Sequence, residues 1–229
     1  MNIKSKIRLF INILLGKDVK YSIQKKCNKI RLGSQYGGWS ICPDHINNTS
    51  IVYSFGVGED ISFDMEIINK FHCNVYAFDP TPKSIEWLKK QNLPKEFYSY
   101  GYGIANYNGI ATFYMPANPN HVSCSINKNI TKNNSNVDVN VKKLATILNE
   151  LKHKNIDILK MDIEGSEYLV LEDMLNSNIF PKQILVEFHH RLEKGGIKKT
   201  RECIKNLNMH GYQIFDISDS NEEYSFIKV

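Results

Sequence analysis

Ser50-Ile51-Val52-Tyr53-Ser54-Phe55-Gly56-Val57-Gly58-Glu59-Asp60 reads as an apolar strand that gives way through two glycines to a helix, and the next apolar run, Val75-Tyr76-Ala77-Phe78, ends in Asp79. A glycine turn lets backbone N–H groups approach a ligand closely. A carboxylate at the tip of the neighbouring strand accepts hydrogen bonds from the vicinal hydroxyls of a ribose. The glycine pair alone also fits an ordinary strand-to-helix turn; Asp79 at the expected distance turns it into the ground plan of a nucleoside-binding α/β site.

What is missing narrows the nucleoside. A dinucleotide site places a third glycine three residues after the second, so that the helix N-terminus closes on a pyrophosphate. Here Ile61 stands there, behind the acidic Glu59 and Asp60, which would repel a pyrophosphate. S-adenosylmethionine carries no phosphate but has an ammonium and a sulfonium, so acidic residues in the loop suit it. That cofactor ranks above NAD.

Outward from this unit the chain alternates strand and helix. The pattern predicts strands over 51–55, 75–78 and 97–102, and helices over 61–71 and 83–91, the second begun by Thr81 as N-cap with Pro82 at its first position. Asn108-Gly109 predicts a turn into a hairpin-like extension, Ile110 to Tyr114. Asn118 to Asn136 lacks hydrophobic periodicity and reads as a mobile loop or a substrate lid. Val137 to Leu144 adds a strand, and Ala145 to Lys152 a helix. Ile156 to Met161 is a buried strand ending in Asp162-Ile163-Glu164-Gly165, followed by a helix over 166–175. Gln183 to Phe188 is the next strand, with Glu187, His189 and His190 at its end, and Lys198 to His210 the last long helix. Tyr212 to Ser218 and Tyr224 to Lys228 close the sheet as an antiparallel hairpin. A parallel sheet finished in this way departs from the dinucleotide-binding arrangement and favours that of methyltransferases. Ligands collect outside the carboxyl ends of such strands, where Gly56, Asp79, Asp162, Glu187 and His189 all fall.

At 229 residues and 42% hydrophobic content the chain suits one α/β domain with an appendage. The five cysteines, Cys27, Cys42, Cys73, Cys124 and Cys203, form no CxxC pair, which points to free thiols in a reducing compartment, the cytosol. The formal charge of +5 is unevenly spread: nine Lys and Arg residues through Arg31 stand against Asp18 alone, and the remainder is net acidic. That balance, with no stacking pattern among the aromatics, argues against nucleic acid as a partner. Within the arm, Ile3, Ile7, Phe10, Ile11, Leu14 and Leu15 recur at helical spacing opposite Lys4, Lys6 and Arg8. This basic amphipathic helix is too short to span a bilayer; it suits packing on its own domain, on a second subunit in a homodimer, or on a membrane surface. The glycine and aromatic stretch Leu32 to Ser40 reads either as a loop over the cofactor mouth or as packing with Trp39 at the sheet edge.

For chemistry, His189 is the first choice of general base, since imidazole titrates near neutrality and follows a strand end facing the cleft. A surface histidine beside His190 is the plain alternative. Asp162 and Glu187 end adjacent strands and can converge; with Glu164 or His189 they can hold a divalent cation such as magnesium that lowers a hydroxyl pKa, a set of Asp162, Glu187 and His189. Against a metal, a carboxylate at Glu164-Gly165 is also stabilised by the helix it opens.

Three blocks, Phe55-Gly56-Val57-Gly58-Glu59-Asp60, Phe78-Asp79-Pro80 and Lys160-Met161-Asp162-Ile163-Glu164-Gly165-Ser166-Glu167, resemble the FkbM-like S-adenosylmethionine-dependent methyltransferases from about Ile51 to Val229. The resemblance implies a class I methyltransferase fold: a Rossmann-like α/β domain over 50–229, its mostly parallel seven-stranded sheet ending in an antiparallel hairpin with helices on both faces. Residues 1–49 form the basic arm and cap loop. It implies that Gly56, Val57 and Gly58 line the methionine part and Asp79 and Pro80 the ribose, while the Gly103-Ile104-Ala105 turn flanks adenine. Ser54 and Asp60 depart from the wider class, which has an acidic residue and a glycine there, so the ammonium contact falls to Glu59, Asp60 or Asp162. The implied reaction is O-methylation of a sugar hydroxyl in a nucleotide sugar or surface glycan, as in polysaccharide biosynthesis. A NAD-dependent sugar oxidoreductase or epimerase and a non-catalytic adaptor remain the alternatives.

Overall fold

The computed structural model describes residues 3–114, 136–192 and 194–229, with side chains described from residue 7 onward. After a helix α1 (Ile3–Leu14), two short strands, β1 (Ile30–Leu32) and β2 (Trp39–Ile41), pair as an antiparallel hairpin. The stretch read as a loop over the cofactor mouth or as packing with Trp39 at the sheet edge is the turn and second strand of this hairpin, with Trp39 buried and Gln35, Tyr36 and Gly37 on the cavity described below. The nucleoside-binding unit follows as β3 (Ile51–Phe55), α2 (Ser62–Phe71), β4 (Asn74–Phe78), α3 (Pro82–Leu88) and β5 (Phe97–Tyr100).

The predicted hairpin-like extension is corrected. Strands β6 (Gly103–Ile104), β7 (Gly109–Tyr114) and β8 (Asn136–Lys142) form a separate three-stranded sheet in the order β6-β8-β7, so that Ile110 to Tyr114 pair with the distant Asn136 to Asn140 rather than with β5. The Asn108-Gly109 turn directs the chain away from the main sheet. The stretch from Asn118 to Asn136, read as a mobile loop or a substrate lid, lies outside the described residues except for Asn136, the first residue of β8.

The chain returns through α4 (Leu144–Glu150) to β9 (Ile158–Met161), α5 (Glu167–Asn176), β10 (Gln183–Glu187) and α6 (Gly196–Met209), and ends in the hairpin β11 (Tyr212–Ile217) and β12 (Glu223–Lys228). The main sheet has seven strands in the order β11-β12-β10-β9-β3-β4-β5. All neighbours are parallel except those of β12, which runs antiparallel to both β10 and β11. The chain thus winds one way from β3 through β4 to β5 and the other way from β9 outward, a topological switch between β3 and β9 that opens a crevice at their carboxyl ends.

Strands buried on both faces explain the uninterrupted apolar runs. Tyr53, Phe55, Phe78, Leu159 and Val186 pack on one face against Ile147 of α4, Leu171 of α5 and Ile204 of α6. Val52, Val75, Ile158 and Leu185 pack on the other against Ile67 of α2 and Ile41 of β2. The arm is pinned by buried polar groups. The Gln183 amide donates to Cys42 O and accepts from Cys42 N–H, both at 2.8 Å, fixing the first hairpin on the sheet. Cys27, Cys42, Cys73 and Cys203 are free thiols, and Cys124 lies outside the described residues. No described helix is long and apolar enough to cross a membrane.

Candidate active site

Register places the site. Phe55 of β3 aligns with Phe78 of β4 and with Met161 of β9, so the next residues, Gly56, Asp79 and Asp162, leave the sheet side by side. Each strand end is held by one further ladder bond: Gly56 N–H to Phe78 O at 3.0 Å, Asp162 N–H to Phe55 O at 3.1 Å and Asp79 N–H to Tyr100 O at 3.1 Å. Beyond these ends lies a cavity of about 1090 Å³. That volume is at the upper end for small-molecule sites and has room for a cofactor together with an acceptor.

The loop residues Gly56, Val57, Gly58, Glu59 and Asp60 line the cavity, as do Asp79, Pro80, Gly103 and Ile104 from the adjoining elements. Gly56 adopts φ +74° and Gly58 φ +55°, the left-handed region that favours glycine. Asp79 is 5% exposed and organises this loop: its Oδ2 accepts the Gly58 N–H at 2.9 Å, and its Oδ1 accepts the Thr81 N–H at 2.9 Å and the Thr81 hydroxyl at 2.6 Å. The two oxygens of a carboxylate offer about four acceptor positions, so these three bonds leave Asp79 room for a ribose hydroxyl while fixing its rotamer. Thr81 occupies the N-cap of α3 with Pro82 behind it, as its sequence predicts, but its hydroxyl meets Asp79 and the Ser84 hydroxyl, at 2.6 and 2.7 Å, and caps no backbone N–H of the helix.

Among the acidic residues considered for an ammonium, Glu59 is paired with Lys83 at 3.2 Å. Asp60 accepts the Ser34 hydroxyl at 2.7 Å and the Ser62 N–H at 2.9 Å. Burial alone would raise the Asp60 carboxyl; the bonds from Ser34 and Ser62 outweigh it and hold the group below its usual range, hence ionised. Asp64, which sequence reasoning passed over, lies wholly buried near Lys160, and burial raises its carboxyl.

At the ends of β9 and β10, carboxylates converge on one imidazole. His189 Nδ1 meets Glu167 Oε1 at 2.8 Å, and its Nε2 stands 3.3 Å from Glu164, 3.8 Å from Asp162 and 3.8 Å from Glu187. Burial would lower the pKa of His189, but its bond to Glu167 and the charges of Glu167, Glu164 and Asp162 hold it up at about 10. The ring is therefore protonated at neutral pH, with both nitrogens committed. It is 7% exposed and is absent from the cavity wall, which Asp162, Glu164 and Glu187 line instead. The general-base role expected of His189 thus meets a physical obstacle, since an imidazolium has no lone pair to accept a proton, and the surface-histidine alternative fails equally. Burial, with Asp162 beside it, pushes the Glu187 carboxyl up to about 8; burial also raises Asp162. The expected metal set changes too: the ligand atoms lying within 4.8 Å of one another belong to Asp162, Glu164 and His189, without Glu187.

Sequence reasoning gave Lys160 no role. It interrupts the apolar strand β9, is 5% exposed, donates to Gly56 O at 3.1 Å and lines the cavity. A charge inside a buried strand was the available signal. Arg31, Tyr36, Phe113 and the turn from Ser218 to Ser220 complete the wall; these come from separate segments that only tertiary folding brings together.

A family model described as "Methyltransferase FkbM domain" matches residues 50–214. Probable methyltransferase-like protein 24 of Homo sapiens is 30% identical over 162 residues, 66% of this chain and 38% of that protein. Its Rattus norvegicus counterpart is 29% identical over 141 residues, 60% of this chain and 32% of that protein. The chain therefore spans well under half the length of the curated relatives it matches. The crystal structure of methyltransferase FkbM from Methylobacillus flagellatus KT superposes with a TM-score of 0.51 at 14% identity, covering 80% of this chain and 44% of that one, a likeness of fold.

Proposed function

The chain belongs to the methyltransferase FkbM domain family, and from that premise we propose that it transfers a methyl group from S-adenosylmethionine to a hydroxyl oxygen, the acceptor being a sugar in a glycan or nucleotide sugar. The observation that carries the reading is the alignment of Gly56, Asp79 and Asp162 at three neighbouring strand ends on one cavity, which Glu164 and Glu187 also line. The family decides between the two cofactor readings that the sequence left open, in favour of methyl transfer over nicotinamide chemistry.

Asp79 and Pro80 hold the ribose, the Gly56 to Gly58 turn carries the methionine part, and Gly103-Ile104 flanks adenine. Asp60 offers an ionised partner for the ammonium and Lys160 a cation for the methionine carboxylate. Methyl transfer is mainly alignment of an oxygen lone pair with the methyl carbon and sulfonium. The far wall, with Glu187, Glu222, Glu223, Ser218 and Ser220, is rich in hydrogen-bond acceptors, which suits an acceptor rich in hydroxyls. Glu187, whose carboxyl is pushed up to about 8 and which therefore ionises as pH rises through that value, takes the hydroxyl proton in its ionised form as the new C–O bond forms, and His189 is a positioning residue that holds the carboxylates together. The set Asp162, Glu164 and His189 Nε2 also fits a divalent cation, provided that the ion displaces the Nε2 proton while Glu167 on Nδ1 fixes the ring; such an ion, when bound, would lower the pKa of a nearby hydroxyl. Free thiols suit a reducing, cytoplasmic setting.

The test is incubation with S-adenosylmethionine and a panel of sugars, nucleotide-linked and oligomeric, read by mass spectrometry for one added methylene mass, with and without chelator. Glu187→Gln should slow turnover by about 10²-fold or more with cofactor affinity nearly unchanged. Methylation undiminished in that variant would remove Glu187 from the role. Cofactor binding without methylation of any panel member would count against the sugar acceptor and leave the adaptor reading standing.

A further inference from the structure

The arm carries a surface that the catalytic reading does not use. In α1, Ile7, Phe10, Ile11 and Leu14 recur at the spacing of one helix face and are 55%, 61%, 47% and 70% exposed. Leu9, Asn12 and Ile13, on another side of the helix, are only partly exposed. The helix therefore turns its more apolar face to water, the reverse of how a helix packs on its own domain. Cations accompany that face in sequence: Lys4, Lys6 and Arg8 belong to α1, and Lys17, Lys20, Lys25 and Lys26 follow it, Arg8 and the last four being exposed. The acidic residue among them, Asp18, is neutralised internally. Its buried carboxylate pairs with His190 Nε2 at 2.8 Å, Arg191 Nε at 2.9 Å and Asn221 Nδ2 at 3.0 Å. Those partners hold Asp18 in place just beyond the end of the helix. Arg191 donates to Ser220 O at 2.6 Å and pairs with Glu222 at 2.7 Å, and both Ser220 and Glu222 line the cavity. The end of α1 is thus tied, four residues on, to the rim of the site.

We propose that α1 lies on an anionic lipid bilayer, with the Ile7, Phe10, Ile11 and Leu14 face inserted at the headgroup boundary and the surrounding lysines and arginine on lipid phosphates, holding the cavity rim at the membrane surface. Charge complementarity favours lipid. A polyanion such as nucleic acid would engage the cations and leave the apolar face wet, whereas an interfacial site takes both. A second copy of the chain would bring the same cations against each other. At twelve residues the helix rests on a membrane and does not cross it.

The full chain is sedimented with phosphatidylcholine vesicles, alone or doped with phosphatidylglycerol, at low and physiological salt. Binding is expected to the anionic vesicles and to weaken as salt rises. A Phe10→Asp, Leu14→Asp variant should bind them at least about tenfold more weakly. Both positions are exposed, so the variant should keep its thermal midpoint and its affinity for S-adenosylmethionine, which separates failure of docking from failure of the methyl-transfer reading. Equal binding to neutral vesicles, no vesicle binding, or unaltered binding by the variant would overturn the proposal. So would a wild-type dimer in light scattering that the variant abolishes, since a second copy would then cover the face.

Discussion

Asp79→Ala should weaken binding of S-adenosylmethionine by about 10²-fold or more, measured by isothermal titration calorimetry, in a chain that still unfolds cooperatively. Two effects add. The variant loses a charge-assisted hydrogen bond to the ribose, of a kind that contributes about 1.5–3 kcal/mol. It also frees the Gly58 N–H and the Thr81 hydroxyl, both of which the native carboxylate holds, so the glycine turn loses its fixed shape and binding must reorder it. Asp79→Asn should recover part of the loss, because its one carbonyl oxygen can still accept from Thr81 while the charge is gone. Affinity equal to that of the native chain in Asp79→Ala would show that the ribose lies elsewhere. Glu187→Gln, by contrast, touches the acceptor side, so the two variants separate cofactor binding from turnover.

Gly56→Ala should act on the fold as well as on the site. A Cβ built at Gly56 would lie 1.7 Å from the backbone oxygen of Asp162, and the residue sits at φ +74°. The left-handed backbone alone costs an alanine about 1–2 kcal/mol. The collision is with main chain and not with a flexible side-chain end, so β3 and β9 must part at their carboxyl ends. A total of about 3 kcal/mol or more follows, which for a chain of this size lowers the melting midpoint by about 6–12 °C. Gly58→Ala is the control: φ is +55° but no atom lies within 4 Å of the added Cβ, so its cost should stay near the backbone penalty of about 1–2 kcal/mol. Differential scanning fluorimetry checks both. Equal midpoints for the two variants would mean that β3 and β9 are not in the close contact described.

Much of this architecture was legible in the chain because local chemistry decided it. The apolar runs of β3, β4, β9 and β10 read as buried strands, Thr81-Pro82 marked the start of α3, and the final two strands appeared as an antiparallel hairpin, giving the seven-stranded sheet observed. The pairing of β7 with β8 was not legible. Asn108-Gly109 signals a turn but says nothing of the strand's partner, which begins at Asn136 and is chosen by long-range packing of Ala111 and Val139. The same limit applies at the site. Gly56 and Asp79 could be placed from sequence because each lies directly after its own strand. The state of His189 depends on Glu167, twenty-two residues earlier, and on three more carboxylates from two strand ends, so its burial and its proton follow from tertiary structure. Read as a strand-end imidazole, it looked like a base; surrounded by carboxylates, it is a cation.

The most direct test of the account is a crystal structure of the full chain with S-adenosylmethionine bound. The predicted result has the ribose on Asp79, the methionine part against the Gly56 to Gly58 turn and the sulfonium methyl turned towards Asp162 and Glu187. A ligand lodged away from Asp79, or one whose methyl group faces the glycine turn with the carboxylates out of reach, would contradict it.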